Sequence, residues 1–380
     1  MSNETPALFT PRLMVMCGFY FMMCLSHFQL LSTVPFRIRD LGGTTFAAGL
    51  FLGFLTYASA SSAPITGAIA DRIGRRRTLL VASSVIGLCF AGYGLFPDYR
   101  LLLVVVIVHG IFWSALQSAS AAHVTDIVPV RRRAEGIAYW SLSAYPAMAI
   151  GPPIAFWIYA RSWTWICVSC AALNVAMVVA AWTLQDLSMG QRNVDSTPRF
   201  PGWRVFMLTP SIFLYSYGYG AVTTFSAVYA DAIGIRPKSL YLTTLGIALL
   251  VTRPLAAATA DRIGHGRVLV SALAMMASGL ALLAARESFS WLLASAIVFG
   301  VGLAGSYPAL AGYLMRDTGE RQRGAVFGTV FAAANTGVGT GSLLTGWVIQ
   351  HFGFRPAFGT AAALAAISVL SFILIDRKLR

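Results

Sequence analysis

His27, His109 and Arg253 lie well inside long apolar runs of a 380-residue chain that is only 11% charged. Ionisable side chains are costly at such depth and mark substrate, ion or proton pathways. None of the fourteen carboxylates lies mid-run. Acid–base chemistry at depth therefore falls to histidine, which titrates near neutrality. Arg253 precedes Asp261 by eight residues, which places it about 12 Å inside the end of its run. Placing an arginine at the centre of a spanning helix costs roughly 2.5–3.5 kcal/mol. With no carboxylate at its depth, Arg253 must use carbonyls, tyrosine hydroxyls, water or an anionic ligand. A structural role and a ligand-binding role are both open for it.

On a helix, His109, Trp113, Gln117, Ser120 and His123 share a sector of about 120°. Such a polar stripe suits proton exchange or solute contact. The alternative is a neutral histidine bonded to a carbonyl across a helix contact. Near the N-terminus, Tyr20, Cys24 and His27 form one face and Ser26, Gln29 and Thr33 another, and either could face inward. Tyr215, Tyr219, Thr223 and Ser226 form a third stripe, in which Gly218 and Gly220 ease bending. Together these residues predict an aromatic, weakly polar pocket for an amphipathic organic molecule.

The elements that must hold these groups follow from composition. The chain is 57% hydrophobic, more than a soluble fold can hide. A membrane-spanning helix needs roughly 20 apolar residues. Twelve such runs are predicted, near 13–34, 46–70, 78–96, 101–127, 136–160, 164–184, 205–230, 240–260, 268–285, 290–315, 324–350 and 356–375. The first is too long for a cleaved leader. The net charge of +14 is a topology signal rather than a nucleic-acid footprint, because alternate loops and termini carry nineteen Lys/Arg and the opposite loops eight. The positive-inside rule then puts both termini in the cytoplasm. Basic loops also meet anionic lipid. All five cysteines, including the Cys167-x-x-Cys170 pair, fall inside predicted helices, so small packing residues are expected rather than a metal or redox site. No cofactor is expected.

A repeat organises the chain. At an offset of 190 residues Pro64 meets Pro254, Asp71 meets Asp261, Gly110 meets Gly300, Arg133 meets Arg323 and Gly151 meets Gly341. Gln117 is matched by Tyr307 and Tyr145 by Asn335. Two six-helix halves are expected, residues 1–185 and 204–380, joined by a polar cytoplasmic linker at 186–203. An even number of spans per half makes the halves parallel, an arrangement that suits a central cavity opened to either side by rocking.

The stretch GAIADRIGRRR supplies Gly67, Asp71, Arg72, Gly74, Arg75, Arg76 and Arg77 between the second and third spans. It resembles the signature of the major facilitator superfamily of secondary transporters. A degenerate second copy, Asp261, Arg262, Gly264 and Arg267, lies between the eighth and ninth spans. The resemblance covers essentially the whole chain and implies an all-α membrane fold of two pseudo-symmetric six-helix bundles. It further implies that Asp71 meets the eleventh span near Gly324, and that spans one, four, seven and ten line the cavity. Gly67 would permit close helix approach and Gly74 a tight turn. The motif arginines could pair with Asp126 and Glu135, giving a latch that forms when the cytoplasmic side closes. Arginines that only set topology are the alternative.

Gly151-Pro152 in the fifth span, with Ser143, Ala147 and Ala155 in register, is similar to the packing motif of drug:proton antiporters. The family's later glycines are Ala155 and Phe156 here, and helix packing without directional meaning is the alternative. The arginine that many relatives carry on the fourth span is replaced by Val106. The resemblance implies a monomeric exporter in a bacterial-type inner membrane, exchanging a small organic or amphiphilic solute for protons. The candidate substrate-binding residues are His27, His109, Trp113, Gln117, Tyr215, Tyr219, Arg253, Tyr307 and Asn335, with His109 as the proton-coupling group. The candidate cytoplasmic gate is Gly67, Asp71, Arg72, Gly74, Arg75, Asp126, Asp261 and Arg262. An importer or uniporter of an organic anion is the alternative on the same fold. A receptor or intramembrane enzyme is disfavoured, because the histidines lack a nucleophile–base set.

Overall fold

The computed structural model describes residues 8–185, 203–315 and 323–379. The linker expected at 186–203 lies outside them except for Trp203. The described residues form thirteen α-helices and one short 3-10 turn. Nine of these helices are long and apolar enough to cross a membrane. In chain order the first seven are α1 (Pro11–Asp40), α2 (Thr45–Ile73), α3 (Arg75–Leu95), α4 (Tyr99–Ile127), α5 (Arg133–Leu142), α6 (Ala144–Tyr159) and α7 (Trp163–Thr183). The remainder are α8 (Trp203–Ala232), α9 (Leu240–Ile263), α10 (His265–Ala285), α11 (Phe289–Met315), α12 (Arg323–Phe352) and α13 (Phe354–Leu379).

The fifth predicted span is two helices, α5 and α6, broken at Ser143. Pro146 explains the break. It has no N–H to offer the carbonyl of Leu142, and its ring crowds that oxygen. Elsewhere the boundaries follow capping chemistry. Thr10, Thr44, Asp98 and Ser162 each accept a backbone N–H in the first turn of the helix they precede, satisfying donors the helix leaves free.

The repeat is visible in the helices themselves. α2 and α9 end at Ile73 and Ile263, and α3 and α10 span Arg75–Leu95 and His265–Ala285. Gly74 and Gly264 join these pairs at φ 95° and 96°, a backbone region that favours glycine. Gly110 presses α4 onto the Leu55 carbonyl of α2, and Gly300 presses α11 onto the Leu245 carbonyl of α9. In the first bundle α1 packs on α6 and α7, α2 on α4, and α3 on α4 and α7. In the second, α8 packs on α12 and α13, α9 on α11, and α10 on α11 and α13.

The bundles meet mainly through α2 against α12 and α6 against α9. We call the end that carries both termini the terminal end, and the other the far end. The far end is closed. A Cβ on Gly49 would stand 2.5 Å from the Ser342 carbonyl, and Gly53 faces Gly339. Gly346 lies against Thr45. Ser342 Oγ donates to Gly49 O at 3.0 Å, and Gln350 accepts from Phe46 N at 3.2 Å. Lys238, ion-paired with Asp231 at 3.0 Å, sits 4.5 Å over the ring of Phe36 across the divide. Gly246 of α9 meets the backbone of Ala149 on α6, 2.7 Å from where its Cβ would be.

Toward the terminal end, the described side-chain contacts between bundles run as far as Tyr57 with Thr340 (2.7 Å) and Arg253 with Tyr145. Beyond them Ile65 and Ile69 on α2, and Leu255 on α9, are exposed. Among the described residues the bundles stand apart there.

Candidate functional site

At the terminal end the arginines of the first charged turn work inside their own bundle. Arg75 pairs with Asp126 on α4 and donates to the Ala122 carbonyl at 3.0 Å. Their side chains are 16% and 24% exposed, against 70% for Asp71, which stands 3.8 Å from Arg75. Arg76 donates to the Ala181 and Trp182 carbonyls at 3.3 and 2.9 Å, placing a cation at the C-terminal end of the α7 dipole.

These contacts correct three expectations. The Arg75–Asp126 pair runs from α3 to α4 of the first bundle, so the pair does not itself bridge the two halves. Glu135 pairs with Arg132 at 2.9 Å rather than with a motif arginine. This hydrogen-bonded contact holds the Glu135 carboxyl below its ordinary range. Gly67 makes no close helix approach here, since an added Cβ would meet nothing within 4 Å. Arg72, Asp261 and Arg262 are exposed. Asp71 faces solvent, and the segment 316–322 before the turn of Gly324 lies outside the described residues.

In the second copy His265 replaces Arg75, and Gly266 replaces Arg76. His265 packs its ring against Gly312, the repeat mate of Ala122. A ring-to-backbone packing contact thus stands where the first bundle has an ion pair.

Inside the first bundle four rings form a ladder from α3 to α1. Tyr93 Oη bonds His109 Nδ1 at 3.1 Å. His109 meets Trp113 edge to face, with centroids 6.5 Å apart. Trp113 stacks on His27 at 4.0 Å and 15°. His109 is buried and also touches Phe90. His27 is partly exposed, and its buried Nδ1 has no hydrogen-bond partner. The stripe of the fourth span is therefore largely an internal face. Ser120 and His123 are buried too, and of the five only Gln117 is partly exposed.

A second cluster lies between the bundles. Tyr20 stands beside Gln117, Cys24 and Tyr145, so the Tyr20 face of α1 is the one turned to the centre. The opposite face is spent on α7, where Gln29 accepts from Ser169 at 3.1 Å and from Cys170 at 3.4 Å. Arg253 lies 5.1 Å over the Tyr145 ring and within electrostatic reach of Tyr307. Tyr219 neighbours Tyr145 and Cys24, and Tyr215 neighbours Tyr307. Asn335 instead donates to Phe331 O on its own helix at 2.9 Å. Gly151 and Pro152 are buried, with Gly151 brought against Phe28 of α1, so this motif packs helices. Tyr93 and Trp140, the latter 4.2 Å from the Tyr20 ring, escaped the sequence reading. Neither stands out from its apolar run. Tyr145 was signalled only through the repeat.

The profile of the Major Facilitator Superfamily matches residues 16–242 and again 208–380. The chain is 23% identical to the staphylopine export protein of Staphylococcus aureus (strain Mu50 / ATCC 700699), over 90% of each protein. It is 26% identical to an uncharacterized MFS-type transporter of Burkholderia pseudomallei (strain 1106a), over 98% of this chain and 94% of that protein. Among solved structures it resembles a bacterial homolog of the human lysosomal transporter Spinster, in an inward-facing and occupied conformation. The TM-score is 0.80 at 12% identity, over 96% of both chains. The nucleoside transporter NupG gives 0.75 at 14% identity, over 97% of this chain and 99% of that one. With both halves matched by one profile and the whole chain by one fold, this multi-pass membrane protein belongs to the major facilitator superfamily of transporters.

Proposed function

We propose that the chain exports a small organic or amphiphilic solute in exchange for protons, by rocker-switch alternating access. The observation that carries this reading is the asymmetry of the two ends. The far end is closed on glycine-to-backbone contacts, the terminal end is splayed, and an aromatic cluster with one arginine lies between. By the positive-inside rule the splayed end faces the cytoplasm. The chain is then a monomer in a bacterial-type inner membrane, waiting to load from inside. The two bundles rock about α2–α12 and α6–α9. An exporter among its relatives supports the direction.

For the proton, geometry shifts the emphasis from His109 to His27. Tyr93 already occupies one nitrogen of His109, whereas His27 Nδ1 is unbonded and its ring stacks on Trp113. A stacked tryptophan can also stabilise the imidazolium. Flux in proteoliposomes with and without a pH gradient tests the reading. Gradient-driven accumulation is expected in wild type. His27→Gln should keep exchange and lose accumulation, while His109→Gln should keep both. Accumulation that ignores the gradient sinks proton coupling. It would favour the second reading, a uniporter or importer of an organic anion, for which Arg253 speaks, being without an acidic partner among the described residues.

A further inference from the structure

We propose that the substrate is an amphipathic organic anion. Its carboxylate-type head is held by Arg253, and its apolar body lies along the apolar surface beside Tyr307. This deepens the transport reading and rests on it.

Two independent observations converge on Tyr307. The first is charge. Arg253 sits mid-way along α9, and among the described residues no carboxylate or carbonyl is paired with it. Its described neighbours are the face of Tyr145 at 5.1 Å and the tyrosine Tyr307. A guanidinium carries five donors in a planar fork that fits a carboxylate in two parallel bonds. A tyrosine face offers attraction to the cation but no acceptor for that fork. In a site flanked by apolar helices this leaves the arginine complementary to an anion and hostile to a cation.

The second is shape. Tyr307 is half exposed, and it stands at the rim of an apolar cleft between α11 and α12 lined by Leu310, Leu314, Val326 and Phe327. Among the described residues no charged side chain lines that cleft. A ligand with its head at Arg253 would therefore run its body past the Tyr307 ring into aliphatic surroundings. A small inorganic anion would leave these apolar surfaces uncovered, and a neutral apolar solute would leave the fork unfilled.

The head also lies on a boundary. Tyr145 belongs to α6 of the first bundle and Arg253 to α9 of the second, so the cation–ring contact crosses the divide. A carboxylate that engages the fork competes with that contact, and occupancy is thereby felt by both bundles. Arg253 thus selects for charge, and the tyrosine and aliphatic surroundings select for an apolar body.

The test uses the full-length protein and three probes of one shape: 2-naphthoate, 2-naphthamide and 2-naphthylmethylammonium. Binding is measured by equilibrium dialysis in phosphatidylcholine vesicles, and flux in the same vesicles. Naphthoate is expected to bind about tenfold or more tighter than the amide, a difference of about 1.4 kcal/mol, and the ammonium to bind weakest. Benzoate in excess should displace naphthoate, and benzamide should not. Arg253→Gln should bring naphthoate and the amide within about twofold of each other, and Arg253→Lys should keep part of the preference, as a point charge without a fork. Leu310→Ser should weaken naphthoate and amide alike.

Equal affinity for the three probes in wild type overturns the proposal. So does an intact preference in a monodisperse Arg253→Gln protein. If that variant does not fold, wild-type displacement by benzamide as well as benzoate has the same force. Complete loss of naphthoate binding when phosphatidylglycerol is added to the vesicles would assign Arg253 to a lipid headgroup and also overturn the proposal. Equal flux of all three probes sinks only the substrate class. No flux of any solute, with naphthoate still bound selectively, sinks the transport reading instead.

Discussion

At the far end Gly49, Gly339 and Gly346 bring α2 and α12 into backbone contact across the two bundles. At the terminal end Arg75, Arg76 and Asp126 tie α3 to its own neighbours α4 and α7, and leave Asp71 facing solvent. The same α2 takes part in both arrangements. Its far half carries the small residues that another helix can approach. Its terminal half ends in Asp71 and Arg72, both exposed. The difference teaches what each end can respond to. A seam of backbone contacts depends on shape, and salt cannot screen it. An end closed by exposed charge depends on ionic partners and on what they meet, and it is screened by salt.

Substitutions can break this contrast. The largest effect is expected from Gly341→Leu. Gly341 lies against the Tyr217 backbone within the second bundle, where a side chain has no route out and overpacking costs about 1–3 kcal/mol or more. The protein should lose its monodisperse peak in size-exclusion chromatography. Gly49→Leu ranks next and should act differently, because it meets Ser342 of the other bundle. It should fold, hold the far end open in distance measurements between α2 and α12, and reduce flux about tenfold or more, since closure is what the side chain opposes. If Gly49→Leu leaves both distance and flux unchanged, the seam is not the closing surface.

Arg75→Gln should lower thermal stability by about 1.5–3 kcal/mol, the range for hydrogen bonds to charged groups, because Asp126 loses a largely covered partner. Asp71→Asn should leave the melting temperature alone and raise the splayed fraction in a distance measurement between the Arg75 turn and the start of α12. A fall in melting temperature as large as that of Arg75→Gln would mean that Asp71 serves the bundle and not the gate. Glu135→Gln should give the smallest change. Arg132 lowers the Glu135 carboxyl relative to its free value, so the folded state binds that proton less readily than the unfolded one. The contribution is present above the usual carboxylate range and is lost as pH falls through the lowered value. Thermal melts of the variant and wild type should differ slightly at neutral pH and coincide in acid.

Much of the architecture was legible because it repeats. The offset of 190 residues, read from Asp71 and Asp261, recurs in the ends of α2 and α9 and in both bounds of α3 and α10. Gly74 and Gly264 were readable as turns because a positive φ selects glycine. The partners of polar side chains were less legible. Helical periodicity put His109, Trp113 and Gln117 on one sector, but the phase of that sector against its neighbours is set by packing. The packing turned His109 to Tyr93. Arg75 was readable as a partner of Asp126 within the first half, but the turn of Arg76 onto the carbonyls that end α7 was not. The glycine seam passed unremarked because a glycine-rich span looks like weak helix until two facing backbones show why side chains are missing. Pro146 was in plain sight, and the break at Ser143 follows from it.

α12 has one further consequence. Gly337 and Gly341 face α8, whereas Gly339 and Gly346 face α2, so one helix presents bare backbone in two directions. Contacts of this kind have no interlocking side chains to be withdrawn when surfaces part. Parting them requires exchanging a few hydroxyl bonds, such as Tyr57 with Thr340 and Ser342 with Gly49. Ser342 already holds Thr224 of its own bundle at 2.7 Å, so its hydroxyl keeps a neighbour after the bundles separate. The two surfaces can therefore part by exchanging hydroxyl bonds, without unlocking interdigitated side chains.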